Sequence, residues 1–195
     1  MPAPSIHAFA EKVTLIINGG EGIGRAVALQ LALQGAYVIV SFSGESEENR
    51  RALEELKSLG TLAYSIEFTD AKTLIDEVEK IYGRIDLLVN CVKSGVDSSF
   101  QINSVTRESL RLMSARPNPS IVNVASDDKA AETTKQSAAE LPPHFRVNCV
   151  IITEKQTIKE FELFTVTKDD DTARVVTFLL SSEAKALNGQ VLFIG

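Results

Sequence analysis

A chain of 195 residues can bury a substantial core without staples and is expected to form a single domain over residues 1–195. Its 26 acidic and 20 basic residues are interspersed, for a net charge of −6, and no basic stripe recommends nucleic acid or an anionic membrane. A small molecule or another protein is therefore the expected partner.

The stretch KVTLIINGGEGIG from Lys12 to Gly24 passes from a β-branched run at 13–17 through a glycine turn into a helix over 25–34. A helix start reached through glycines offers backbone N–H groups and a positive dipole end to a phosphate. The loop reads either as a dinucleotide pyrophosphate site or as a βα turn that binds nothing. Ile23, Val27 and Leu31 give the helix one apolar face. Residues 37–40 form a second strand, and a helix follows over 45–59 with acids in its first turn, where they suit the dipole. A third strand covers 62–68, and Thr69 and Asp70 can cap a helix over 71–82. The run IDLLVNCV at 85–92 is nearly all apolar, as expected of a strand in a parallel sheet covered on both faces.

This βαβαβαβ order with short connections predicts an α/β fold: a Rossmann-like, doubly wound parallel sheet of about seven strands with helices on both faces. Further strands are expected at 121–124, 145–152 and 190–194, with a helix over 172–182. Residues 93–99, 116–119, 127–143 and 153–171 read as irregular. Asp169, Asp170 and Asp171 read as a solvated helix cap, with no second acidic cluster to complete a metal shell. Cys91 and Cys149 lie in apolar runs without CxxC spacing and read as buried, reduced thiols, so no metal is expected. No cationic leader or membrane-length apolar run is present, and cytoplasmic residence is expected.

Residues 18–28, GRIDLLVN at 83–90, 121–126, FRVN at 145–148, 173–179 and NGQV at 188–191 together resemble a short-chain dehydrogenase/reductase of the ketoacyl-carrier-protein-reductase type. The resemblance covers the whole chain in order. It implies nicotinamide dinucleotide bound at a GxxxGxG turn, which here falls on Asn18, Gly22, Ile23 and Gly24 with the first glycine replaced. Asn tolerates a left-handed backbone best after Gly, so the turn can survive. The resemblance also places Glu67 at the adenine, Asn90 at the head of the family's NNAG (here NCVK, with Lys93 for the glycine), and Thr157 at the nicotinamide carboxamide. Phe42 replaces the acid that would select NAD, with Ser41 and Ser43 beside it, a lean toward NADP over NAD. Glu21, where NADP-preferring relatives often carry a base, pulls the other way.

Of the family's catalytic group, Ser126 matches the serine and Asn103 the asparagine. No Tyr-x-x-x-Lys exists: Tyr37, Tyr64 and Tyr82 all read as packing residues, and Lys135 is preceded at four residues by Ala131. Nineteen residues separate Ser126 from Arg146, so the helices before and after the fifth strand are expected to be shortened, residues 134–143 being only the end of the second. In the family these helices commonly form the subunit interface, which implies a compromised tetramer. Three readings follow. The chain is a degenerate member acting as a nucleotide-binding or partner subunit, in a homo-oligomer or with a full-length family member, possessing a cofactor site or none. Alternatively it is an active carbonyl reductase whose proton comes from Lys135 or from water held by Ser126. A decayed product whose fold outlives its task is the third.

Overall fold

The computed structural model describes residues 8–44, 46–153 and 168–195. Seven strands form one wholly parallel sheet in the order β3-β2-β1-β4-β5-β6-β7. In chain order these are β1 (Val13–Ile17), α1 (Gly22–Leu33), β2 (Tyr37–Phe42), α2 (Glu47–Ser58), β3 (Ala63–Glu67), α3 (Ala71–Tyr82) and β4 (Leu87–Cys91). Then come α4 (Ser98–Met113), β5 (Ser120–Ala125), α5 (Asp128–Glu140), β6 (Arg146–Ile152), α6 (Lys168–Leu180) and β7 (Val191–Ile194). The expected doubly wound sheet with two helical layers is present.

The alternation along each strand divides the core. Ile16, Val40, Val89 and Val122 pack against Val27 and Leu31 of α1, Leu56 of α2 and Val176 of α6. On the other face Leu15, Leu88 and Ile121 pack against Leu74 and Ile75 of α3 and Val105 of α4. Both faces of the central strands are buried, which is why β4 reads as continuously apolar. Asp86, just before β4, is 2% exposed; it accepts from the Val13 amide at 3.0 Å and from Arg116 Nε at 2.8 Å. One buried carboxylate thereby ties the starts of β1 and β4 to the α4–β5 connection.

Two readings of local structure change. Residues 127–143, expected to be irregular with only a helix end from 134, contain all of α5, beginning at Asp128. The side chain of Asp127 caps it, accepting from the Ala130 amide at 3.2 Å. Helix α6 starts at Lys168 rather than 172 and carries the three aspartates in its first turn, where their charge suits the positive end of the helix dipole. Tyr37 stacks on Tyr82 with ring centroids 5.7 Å apart, and Tyr64 meets Tyr82 edge-on. Burial pushes the Tyr82 phenol up to about 12. These tyrosines pack at the amino-terminal ends of β2 and β3, the end of the sheet opposite the glycine turn. Among the described residues no helix is long and apolar enough to cross a membrane.

Candidate functional site

Between β1 and β4 the strand order reverses, and open α/β sheets leave a crevice at the carboxyl ends of the strands at such a point. Here the crevice is built from the turn after β1. Asn18 adopts φ 56°, the left-handed conformation expected of the residue replacing the motif's first glycine. Its side-chain amide donates to the Cys91 carbonyl at 2.7 Å, while the Gly19 amide donates to the Ser41 carbonyl at 3.0 Å. The turn is thus pinned to β4 on one side and β2 on the other.

Gly24 cannot be replaced without moving that turn, because a Cβ there would lie 2.2 Å from the Asn18 carbonyl oxygen. Helix α1 begins at Gly22, and the side chain of its N-cap residue, Glu21, makes no capping hydrogen bond. Its first N–H groups have no intrahelical partner and remain for a ligand or water.

The cleft beside this helix start has a volume of about 240 Å³. Asn18, Glu21, Ile23 and Gly24 form one wall; Cys91, Val92, Lys93 and Ser94 form the second; Val124, Ala125, Ser126 and Ile152 close the third. Ser126 is exposed at the end of β5 and faces this cleft. Across its mouth Lys93 Nζ forms an ion pair with Glu21. Burial pushes the Cys91 thiol up to about 12, leaving it protonated and a poor proton source at neutral pH.

Phe42 and Glu67 are register partners at the carboxyl ends of β2 and β3. The structure therefore brings them together on the far side of the glycine turn from the cleft. Phe42 also lines a separate cavity of about 450 Å³ against α2, with Asn49 and Arg50.

Three sequence-selected residues do not reach the cleft. Asn90 lies on the strand face away from α1: its amide donates to Asn123 Oδ1 at 2.9 Å, and Asn123 donates to Thr134 of α5 at 2.8 Å. It is a buried link between β4, β5 and α5. Asn103 is exposed on the outer side of α4, where it lines a groove with Gln136 and Ser137 of α5. Lys135 is exposed on α5 and is absent from the cleft wall, and Ala131, four residues earlier, packs with Ile102 and Ala125. Thr157 lies outside the described residues.

Sequence reasoning missed Gln101, which is 7% exposed and donates to the Cys91 carbonyl at 3.4 Å, and Ser98, whose hydroxyl donates to Asp127 at 2.6 Å. The signal was available in the spacing. With Asp97 as cap of α4, positions 98, 101, 102, 105, 106 and 109 turn inward and 103 outward. Among the described residues no group of three or more His, Cys, Asp or Glu could hold a metal ion.

A family model described as short chain dehydrogenase matches residues 12–139. A 3-oxoacyl-(acyl-carrier-protein) reductase of Staphylococcus epidermidis is 27% identical over an alignment of 236 residues, covering 94% of this chain and 97% of that protein. That alignment exceeds the 195 residues available here, so the relative carries segments that this chain lacks. A short-chain dehydrogenase/reductase of Pestalotiopsis microspora is 37% identical over 102 residues, 50% of this chain but only 38% of that protein. Among solved structures, a short-chain dehydrogenase from Burkholderia cenocepacia in complex with NADP superposes with a TM-score of 0.80 at 20% identity over 98% of both chains. A hydroxysteroid dehydrogenase from Escherichia coli superposes at 0.83 with 19% identity, over 98% of this chain and 99% of that one.

Proposed function

The chain belongs to the short-chain dehydrogenase family, and from that premise we propose that it is a degenerate member: a protein that binds a nicotinamide dinucleotide with little or no catalysis and serves as a nucleotide-binding or partner subunit. The observation that carries this reading is the make-up of the cleft. Its phosphate end keeps the features a dinucleotide requires, namely a tight turn at Asn18, close backbone at Gly24 and an uncapped α1. The end around Ser126 has no tuned proton donor among the described residues: Glu21 and Lys93 pair with each other, Cys91 is buried, and α5 offers alanines toward Ala125.

In this reading the backbone of Asn18, Gly22, Ile23 and Gly24 holds the phosphates, Phe42 and Glu67 flank the adenosine end, and Ser126 marks the nicotinamide end. The cofactor, when bound, supplies hydride chemistry. Asn90 and Asn103 are given no part at the cleft in this reading, because the Asn90 amide donates to Asn123 on the strand face away from α1 and Asn103 is exposed on α4. NADP is the preferred form, since Phe42 rather than an acid ends β2.

The test is turnover. Incubation with NADPH and acetoacetyl thioesters or simple ketones should give no cofactor consumption above the protein-free blank. Steady consumption that is lost in Ser126→Ala would replace this reading with an active reductase whose proton comes through water at Ser126. Retention of a catalytically complete family member on the tagged chain from cell extract is expected for the partner role; a lone monomer there argues against it.

A further inference from the structure

The Glu21–Lys93 pair joins two loops that are distant in sequence and adjacent only at the mouth of the cleft. Glu21 stands at the N-cap of α1 but leaves the helix amides alone, and Lys93 reaches to it from the connection after β4. The side chains of Lys93 and Glu21 stay 43% and 47% exposed, so water screens the pair and little is lost when it opens. A second carboxylate is close by: the Cβ position of Gly22 lies 3.8 Å from an Asp169 oxygen. Two carboxylates therefore flank the start of α1, and Lys93 is the cation among the cleft-lining residues. With Lys93 removed, the same mouth would repel any phosphate.

We propose that Lys93 is the phosphate-binding cation of the cleft, and that Glu21 is a built-in competitor which holds the ammonium until a ligand phosphate displaces its carboxylate. This rests on the dinucleotide reading given above and adds to it the group that recognises the pyrophosphate. A four-carbon stem lets the ammonium swing from carboxylate to phosphate without moving the backbone, and three N–H donors suit a point contact with a phosphate oxygen. Because Glu21 and the ligand compete for one cation, affinity is set by the difference between two charge-assisted hydrogen bonds rather than by either alone.

The experiment is calorimetric titration of the full chain and of the variants Lys93→Gly and Glu21→Gln with NADPH, NADH and inorganic pyrophosphate. Both positions are half-exposed, and melting curves check that the variants fold. Lys93→Gly should weaken binding of all three probes about tenfold, the size of one charge-assisted contact to a phosphate, and Glu21→Gln should tighten it about threefold, the size of a water-screened competing pair. Equal or tighter binding by Lys93→Gly would overturn the proposal and mark the lysine as an obstruction, leaving the dinucleotide reading intact. Absence of binding at millimolar ligand in all three proteins would overturn both. Binding seen only in Glu21→Gln would support the competitor role of Glu21 while overturning the dinucleotide reading for the parent chain.

Discussion

Replacing Asn18 by Ala and by Gly tests how the turn is held. Asn18 has φ 56° and spends its amide on the Cys91 carbonyl at 2.7 Å. Alanine tolerates the left-handed region less well than Asn, a difference of roughly 1 kcal/mol, and it forfeits a buried hydrogen bond of about 1 kcal/mol. The Cys91 carbonyl keeps its contact from Gln101, which limits the loss. Asn18→Ala should thus cost about 2 kcal/mol, a fall in Tm of roughly 4–8 °C for a chain of this size. Glycine loses the same bond but adopts the conformation freely, so Asn18→Gly should change stability by less than about 1 kcal/mol. Urea unfolding followed by circular dichroism reads both, with a midpoint shift near ~1 M for the alanine variant. An alanine variant as stable as the parent would refute this account of the turn. A glycine variant as damaged as the alanine one would show that the side-chain bond, and not the backbone conformation, carries the whole effect.

Two further tests concern the scaffold and its thiols. Asp86→Ala strips the acceptor from the Val13 amide and leaves Arg116 without its partner, and a loss of about 3 kcal/mol is expected in thermal melts; a change under ~0.5 kcal/mol, as at an ordinary surface position, would contradict the assigned role. Burial raises Cys91 from 9.0 to about 12 and Cys149 from 9.0 to about 11. Folded pKa values above the unfolded ones mean that the folded state holds these protons more tightly, so their contribution is complete below pH 9 and is lost between about 9 and 12. Urea midpoints should accordingly fall across that window, and iodoacetamide should leave both thiols unmodified until the protein unfolds; fast native-state alkylation would contradict the burial of either.

Much of the fold was legible because its signals are local. The apolar run of β4 and the Asp70-capped α3 could be read directly. Helix α5 escaped because its buried face consists of Ala130, Ala131, Thr133 and Thr134, which give no large apolar residue for a periodicity to detect. Asn103 was chosen by motif order, which says nothing about which way a helix turns its side chains. Asn90 shows the same limit in a strand, where one residue of register decides between cleft and core. The Glu21–Lys93 pair was beyond any local reading, since its partners meet only through the sheet crossover.

The most direct measurement of the central claim is titration of the protein with NADPH and with NADH, following nicotinamide fluorescence. Saturable enhancement, stronger for NADPH, with no decay of the signal when a ketone is added is the predicted result. No binding at millimolar concentrations of either nucleotide, or prompt loss of fluorescence on adding ketone, would contradict it.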